Sequence, residues 1–251
     1  MTEFIKYSKK MEIFMSLILL MSVTLIACNM NKVVENREST VKTKEKDYIV
    51  VIDPGHGGED PGKVGINNAK EKDVNLAIAL QLQDILQKKG INVVMTRDTD
   101  TSLKENGRFS KIGDLNGRCN IINKAYDNNN KCVLISVHQN SFTGQSVHGA
   151  QVFYYQKSAQ SMKLAKIMQE KFNKDINTEK AKNEKPNDSY YMLINSKCPG
   201  IIVECGFLSN PEEADKLTNS DYQKQLGDIL CRGIMDYFSE MTETKQMYRE
   251  K

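Results

Sequence analysis

Apolar positions along this chain fall into two kinds of run. Residues 48–53, 91–96, 132–138, 149–155 and 200–205 are short, rich in β-branched or continuously apolar residues, and bounded by glycine, proline or polar clusters. That is the pattern of buried strands. Between them, residues 71–89 carry Val74, Ile78, Leu82 and Ile85 at helical spacing. Residues 159–172 do the same with Met162, Ala165, Met168 and Phe172, and residues 222–238 with Leu226, Ile229, Leu230 and Met235. Gly90 stands where a helix C′ residue would. Residues 118–126 read as a further helix, and Asn210-Pro211-Glu212-Glu213 as a helix start with proline at N1 and acids in the first turn. The polar, glycine-bearing residues 98–117 read as a loop, residues 174–189 as a surface loop, and residues 190–194 as a short strand. A strand, a crossover helix and a strand make a βαβ unit with parallel pairing. The expected architecture is one α/β domain over residues 47–239, with a charged tail at 240–251.

The N-terminus departs from this alternation. Lys6, Lys9 and Lys10 precede residues 13–27, which are almost wholly apolar. The run is short for a membrane span, which needs about 20 apolar residues, and fits the h-region of a signal peptide, about 7–15. It ends in Leu25-Ile26-Ala27-Cys28, which resembles the bacterial lipoprotein processing box, where the cysteine is lipidated. Residues 1–28 therefore read as a signal peptide or retained membrane anchor. Residues 29–46 are polar and charged and read as a tether. The working domain is expected outside the cytoplasmic membrane, touching it only through the N-terminal segment.

Composition narrows the classes. A chain that is 39% hydrophobic and 27% charged has a soluble globular balance. A net charge of +3 is too small to imply a nucleic-acid partner. Beyond Cys28 lie Cys119, Cys132, Cys198, Cys205 and Cys231, an odd set with no paired spacing and so a poor disulfide framework.

Chemistry concentrates where the first strand ends, in Val50-Val51-Ile52-Asp53-Pro54-Gly55-His56-Gly57-Gly58-Glu59-Asp60-Pro61-Gly62. Gly57 and Gly62-Lys63 have phosphate-loop spacing, but Val64 stands where Ser or Thr would be needed. Glu59 and Asp60 repel phosphate and Pro61 lacks an N–H, so a nucleotide site is not expected. A metal reading fits better. The chain holds only three histidines, His56, His138 and His148, and the first two close β-branched strand runs. Glu71 opens the helix after the first turn. Two imidazoles and a carboxylate are a zinc ligand set that leaves a fourth position for water. Glu204 is an acid inside an apolar strand and could carry a proton from that water to a leaving amine. Each residue also has an ordinary reading: a hydrogen-bonding turn histidine, a helix-dipole partner at Glu71, a salt bridge at Glu204. Spacing alone leaves both readings open.

Several motifs together go further. Residues 51–58, then Asp60-Pro61-Gly62, Glu71-Lys72, Asn75-Leu76, Thr96-Arg97, Arg118, Asn123, Ser136-Val137-His138-Gln139-Asn140, Gly149, Tyr155 and residues 203–210 follow one another in the order of the zinc-dependent N-acetylmuramoyl-L-alanine amidases of bacterial cell walls. The chain resembles that family over nearly all of residues 47–239. The resemblance implies a twisted, mostly parallel sheet of about six strands flanked by helices. It implies one zinc ion held by His56, Glu71 and His138, with Glu204 as the catalytic carboxylate. It implies peptidoglycan as substrate, cut at the amide between the lactyl group of N-acetylmuramic acid and L-alanine. Asn140, His148 and Arg118 are the residues that would touch substrate, and an activator protein is a further expected partner. A single small domain behind an export signal looks most like the germination-specific branch, which trims spore cortex so that muramic δ-lactam can be made. Residues 100–115 form a longer connection than the family's usual one. Two alternatives accompany this reading. One is another zinc peptidoglycan hydrolase such as a carboxypeptidase, which would need a basic pocket that Arg97, Arg108 and Arg118 could furnish. The other is a wall-binding protein without catalysis.

Overall fold

The structure is a computed structural model that describes residues 48–103 and 107–247, with residues 15, 20–24, 26 and 30 near the N-terminus. Apart from those few positions, the stretch read as a signal peptide or anchor, Cys28 and the stretch read as a tether lie outside the described residues. Among the described residues, no helix is long and apolar enough to cross a membrane. The chain divides into two compact units, Met1–Lys44 and Glu45–Lys251, and the second carries the fold described below.

Its elements run β1 (Ile49–Pro54), α1 (Glu71–Lys88), β2 (Asn92–Met95), α2 (Lys111–Asn128), β3 (Cys132–Asn140), β4 (Gln151–Tyr155), α3 (Ala159–Asp175), β5 (Lys185–Asn187), α4 (Tyr191–Asn195), β6 (Gly200–Phe207), α5 (Pro211–Leu217) and α6 (Ser220–Met247). Six strands form one sheet in the order β2-β1-β3-β6-β4-β5. Every neighbouring pair is parallel except β4 with β6, which is antiparallel. This is the single α/β domain with a mostly parallel six-stranded sheet that the alternation and the resemblance imply.

The sheet is covered on both faces, which is why its central strands are apolar throughout rather than alternating. Val50 and Ile52 pack with α1, α3 and α6 on one side. Val51 and Leu134 pack with Cys119 and Ile122 of α2 and Met192 of α4 on the other. Helix α1 ends as its sequence predicts. Gly90 adopts φ 76°, its N–H donates to Gln87 O at 2.9 Å, and Ile91 N–H donates to Leu86 O at 3.1 Å, a Schellman closure. The chain leaves β1 to form β2 on one side and returns to form β3 on the other. The carboxyl ends of β1 and β3 are therefore a topological switch point, where open α/β sheets place their ligands.

Four local expectations are corrected. Helix α2 starts at Lys111, not at residue 118: Ser110 caps it, its Oγ accepting from Gly113 N–H at 3.0 Å. The glycines there serve packing rather than a loop, since a Cβ on Gly117 would come 2.8 Å from Leu103 Cβ. Residues 190–194 are not a strand but largely the one-turn helix α4. The stretch read as a surface loop contains β5, a three-residue edge strand beside β4. Helix α6 also runs into the charged tail, as far as Met247.

Candidate active site

His56 follows β1 in a left-handed conformation, φ 62°. Non-glycine residues seldom adopt it unless their surroundings impose it. Here buried cations impose it. Arg118 is 2% exposed and binds outward from its core position. Its Nη1 donates to Asp53 Oδ1 and Pro54 O, both at 2.7 Å, its Nη2 to His56 O at 2.5 Å, and its Nε to Asp114 Oδ2 at 2.6 Å. Arg97 donates through Nε to Pro54 O at 2.9 Å and through Nη2 to Gly55 O at 3.0 Å. Lys72 Nζ donates to Gly58 O at 2.8 Å and pairs with Asp100 at 2.6 Å. Four carbonyls of one turn are thus fixed by three cationic side chains. Asp53 anchors the cluster. Burial alone would raise its pKa, but the Arg118 guanidinium and the Thr96 and Ser136 hydroxyls override that and hold it at about 2.

The turn brings His56 to Glu71, the first residue of α1. His56 Nδ1 meets Asp60 Oδ2 at 2.8 Å, and His56 Nε2 lies 3.2 Å from Glu71 Oε2. From the end of β3, His138 Nδ1 lies 2.9 Å from Glu71 Oε1. Backbone N–H groups complete the carboxylate's environment: Lys63 donates to Oε2 at 2.9 Å and Gln139 to Oε1 at 3.2 Å. Burial would raise the Glu71 pKa, but hydrogen bonds and charge from both imidazoles hold it well below the usual carboxylate range. The His138 pKa shows the converse: burial opposes its charged form, and Glu71 outweighs it and raises the pKa. Gly55 permits this approach, because a Cβ there would sit 2.1 Å from His138 Cε1.

The donor atoms of His56, Glu71 and His138 all lie within 4.8 Å of one another. Two imidazole nitrogens and a carboxylate oxygen on one side of an open cavity match a three-ligand metal site with a free position. The Asp60 contact is the outer carboxylate partner that such histidines commonly have, fixing the tautomer so that Nε2 can face the ion. The residues therefore fit a metal, and among the described residues no other such group occurs.

Glu204 lies on β6 directly beside His138 in the sheet register. Burial pushes its carboxyl pKa up to about 7, and Glu71 adds to the rise while His138 and His56 oppose it. Its Oε2 is buried without a hydrogen-bond partner among the described residues. A carboxyl group that neither pairs nor coordinates, and that titrates near neutrality, suits proton transfer.

These residues share a cavity of about 400 Å³ with Asn140, Tyr190 and Tyr191 on its walls. His56, Glu71, His138, Glu204 and Asn140 are thus brought together. Arg118 reaches the same cavity, but all its nitrogens are engaged inside the protein. It acts as a clamp on the first turn rather than as a free contact for substrate. His148 is not part of the group. It is exposed, its Nδ1 meets Ser146 O at 2.9 Å, and it lines a separate cavity with Glu179 and Lys182. The basic pocket of a carboxypeptidase is not formed either: Arg97 and Arg118 are both buried and bound to carbonyls, and Arg108 is exposed and does not line the cavity. Sequence reasoning missed the Asp60 contact to His56 and the place of Tyr190 on the cavity wall. The first was legible as an acid four residues after His56; the second had no signal.

The family model for N-acetylmuramoyl-L-alanine amidase matches residues 50–236. The germination-specific N-acetylmuramoyl-L-alanine amidase of Bacillus subtilis (strain 168) is 38% identical over 196 residues, covering 76% of this chain and 80% of that protein. Among solved structures, the CwlD amidase from Clostridioides difficile, in complex with the GerS lipoprotein, matches with a TM-score of 0.70 at 34% identity, covering 76% of this chain and 98% of that one. The amidase AmiC2 of Nostoc punctiforme matches with a TM-score of 0.64 at 32% identity, covering 76% and 97%. The matched span takes in all six strands but for Ile49 at the start of β1, and every residue of the His–Glu–His cluster, and the chain belongs to the N-acetylmuramoyl-L-alanine amidase family.

Proposed function

We propose that this amidase uses zinc held by His56, Glu71 and His138, with Glu204 as proton carrier, and that it acts on spore-cortex peptidoglycan outside the cytoplasmic membrane. The observation that carries the reading is one cavity with a three-donor metal set and, beside it, an unpaired carboxyl of pKa about 7. Zinc, when bound, supplies Lewis acidity that polarises a carbonyl oxygen and lowers the pKa of water. Glu204 takes a proton from the attacking water and returns it to the departing nitrogen of L-alanine. Glu71, kept anionic by its N–H donors and the two imidazoles, supplies the negative charge of the ligand set. Asp60 orients the His56 ring. Asn140, at the end of β3, is placed to bind substrate.

The cortex role is supported by the similarity to a germination-specific amidase. A protein partner that assists the enzyme is supported by the relative whose structure was solved with a lipoprotein. The apolar N-terminal segment supports export, as a signal peptide or an anchor.

The test is direct. The purified chain, loaded with zinc and incubated with peptidoglycan, should release new N-terminal alanine. Release of carboxyl-terminal D-amino acids instead would refute the amidase assignment in favour of a carboxypeptidase. For the cortex role, spores of the producing cell lacking this gene should contain no muramic δ-lactam, and unchanged δ-lactam would overturn it.

A further inference from the structure

Amide hydrolysis builds negative charge on the carbonyl oxygen, and hydrogen-bond donors fixed in advance around that oxygen lower the barrier. Several donors on the cavity wall are already committed. The Arg118 nitrogens bind Asp53, Asp114 and two carbonyls. Tyr191 gives its hydroxyl to Asn116 Oδ1 at 2.5 Å. Gln139 gives its amide to Asn75 Oδ1 at 3.2 Å.

Tyr190 differs. It lines the cavity with Glu204 and His138, and among the described residues its hydroxyl has no partner. Its ring is fixed. It meets the Phe153 ring edge-on, with centroids 5.5 Å apart and planes at 83°. Its backbone N–H donates to Asn187 Oδ1 at 2.7 Å. Burial raises the phenol's pKa, and Glu204 and Glu71 raise it further. The hydroxyl belongs to a side chain that lines the same cavity as both carboxylates, which places it among the groups of the site. It also stays protonated, and so a donor, at neutral pH. Asn140 has an amide on the same wall, and Lys63 and Lys111 have ammonium groups there. Neither lysine is held by an aromatic contact like that of Tyr190, and a long flexible cation is a poorer preorganised donor than a pinned phenol.

We propose that the Tyr190 hydroxyl is a catalytic residue of this amidase, donating a hydrogen bond to the scissile carbonyl oxygen as negative charge builds on it. The assignment rests on the reading of this cavity as the amidase site. The phenol keeps its proton throughout. Water adds to the carbonyl carbon, the bond to the alanine nitrogen breaks, and the proton that nitrogen gains comes from Glu204. The tyrosine's contribution is electrostatic, and it is greatest when the oxygen is most negative.

Tyr190→Phe removes only the hydroxyl and keeps the ring against Phe153. With zinc-loaded protein and peptidoglycan, kcat for release of N-terminal alanine should fall by roughly 10²-fold, the usual effect of losing one such donor. KM, zinc content and melting temperature should stay near those of the wild type. Tyr126→Phe, which removes a hydroxyl on α2 beside a different cavity, should leave kcat within about twofold. An unchanged kcat in Tyr190→Phe would overturn the proposal, as would a rise in KM alone or an equal loss in Tyr126→Phe. A wild type that releases no N-terminal alanine would overturn the amidase reading and the tyrosine's role with it. An active wild type with an equally active Tyr190→Phe would overturn the tyrosine alone.

Discussion

Glu204→Gln should remove activity and, in the metal-free protein, add stability. The two effects have one cause. Glu204 is a carboxyl with a buried, unpartnered oxygen in a strand that is otherwise apolar. Its pKa rises from the ordinary 4.5 to about 7, chiefly through burial. A rise of that size corresponds to about 3 kcal/mol against the ionised form. The side chain borders an open cavity, so screening by water reduces this to about 2 kcal/mol. The sign follows from linkage. The folded protein holds the proton more tightly than the unfolded chain, so this stability is present below pH 4.5 and is lost as pH rises through 7. Glutamine is neutral at every pH and escapes the loss. Metal-free Glu204→Gln should therefore melt about 4–8 °C above metal-free wild type at pH 8, and the two should converge toward pH 4.5. Turnover should fall on the order of 10²–10⁴ with zinc content unchanged, the span expected for a general acid–base. Melting curves at pH 5 and pH 8 and release of N-terminal alanine, taken on one preparation, test both arms. A mutant less stable than wild type at pH 8 that keeps its turnover would refute the reasoning and make Glu204 half of a structural ion pair.

The remaining expectations concern the metal and the turn that presents it. His56→Ala and His138→Ala should each lose most bound zinc, since two ligands remain, and His148→Ala should keep it; metal analysis showing the reverse would overturn the ligand set. Gly55→Ala would force a methyl group to within 2.1 Å of His138 Cε1, so zinc affinity and activity should both drop in a folded protein, and normal zinc titration would refute the close approach. Asp53→Asn leaves Arg118 a buried charge short of a partner and should cost about 3–5 kcal/mol in urea unfolding. In the wild type, the Asp53 pKa is depressed from 3.8 to about 2, so about 2 kcal/mol of stability is present above pH 4 and disappears as pH falls toward 2. The mutant should lack that acid slope, and an unchanged slope would acquit Asp53.

What could be read in advance divides by the range of the interaction. Helix α1 was legible because its apolar period and the Gly90 stop are local. The central strands were legible because burial on both faces makes them continuously apolar. Strand β5 was not: it is three residues long, sits on an edge and buries little, so nothing in its composition distinguishes it from a loop. Residues 190–194 misled for the opposite reason. They are apolar enough for a strand but close into one helical turn, with the Tyr190 and Ser189 N–H groups donating to Asn187 Oδ1 ahead of that turn. The onset of α2 was hidden by Gly113 and Gly117, whose lack of a side chain reads as flexibility. In the structure, Gly117 gives Leu103 room to pack.

The same distinction explains the site. His56, Glu71, His138 and Glu204 could be placed because each stands at the end of an element or inside a strand, so its position at the sheet edge follows from the alternation. Arg97 and Arg118 could not be assigned this way. An arginine near a presumed anionic substrate suggests a substrate contact, and only the three-dimensional structure shows that four carbonyls of residues 54–58 require a buried donor. Leaving such groups unmet costs about 1–3 kcal/mol each, so a turn that exposes an imbalance of carbonyls to the interior must recruit cations to hold its shape. The left-handed His56 is stable only with that recruitment, and its Nε2 faces Glu71 only while the turn keeps that shape. The charged cluster under the turn therefore holds the candidate metal group in place as much as His56, Glu71 and His138 themselves do, although none of its nitrogens belongs to that group.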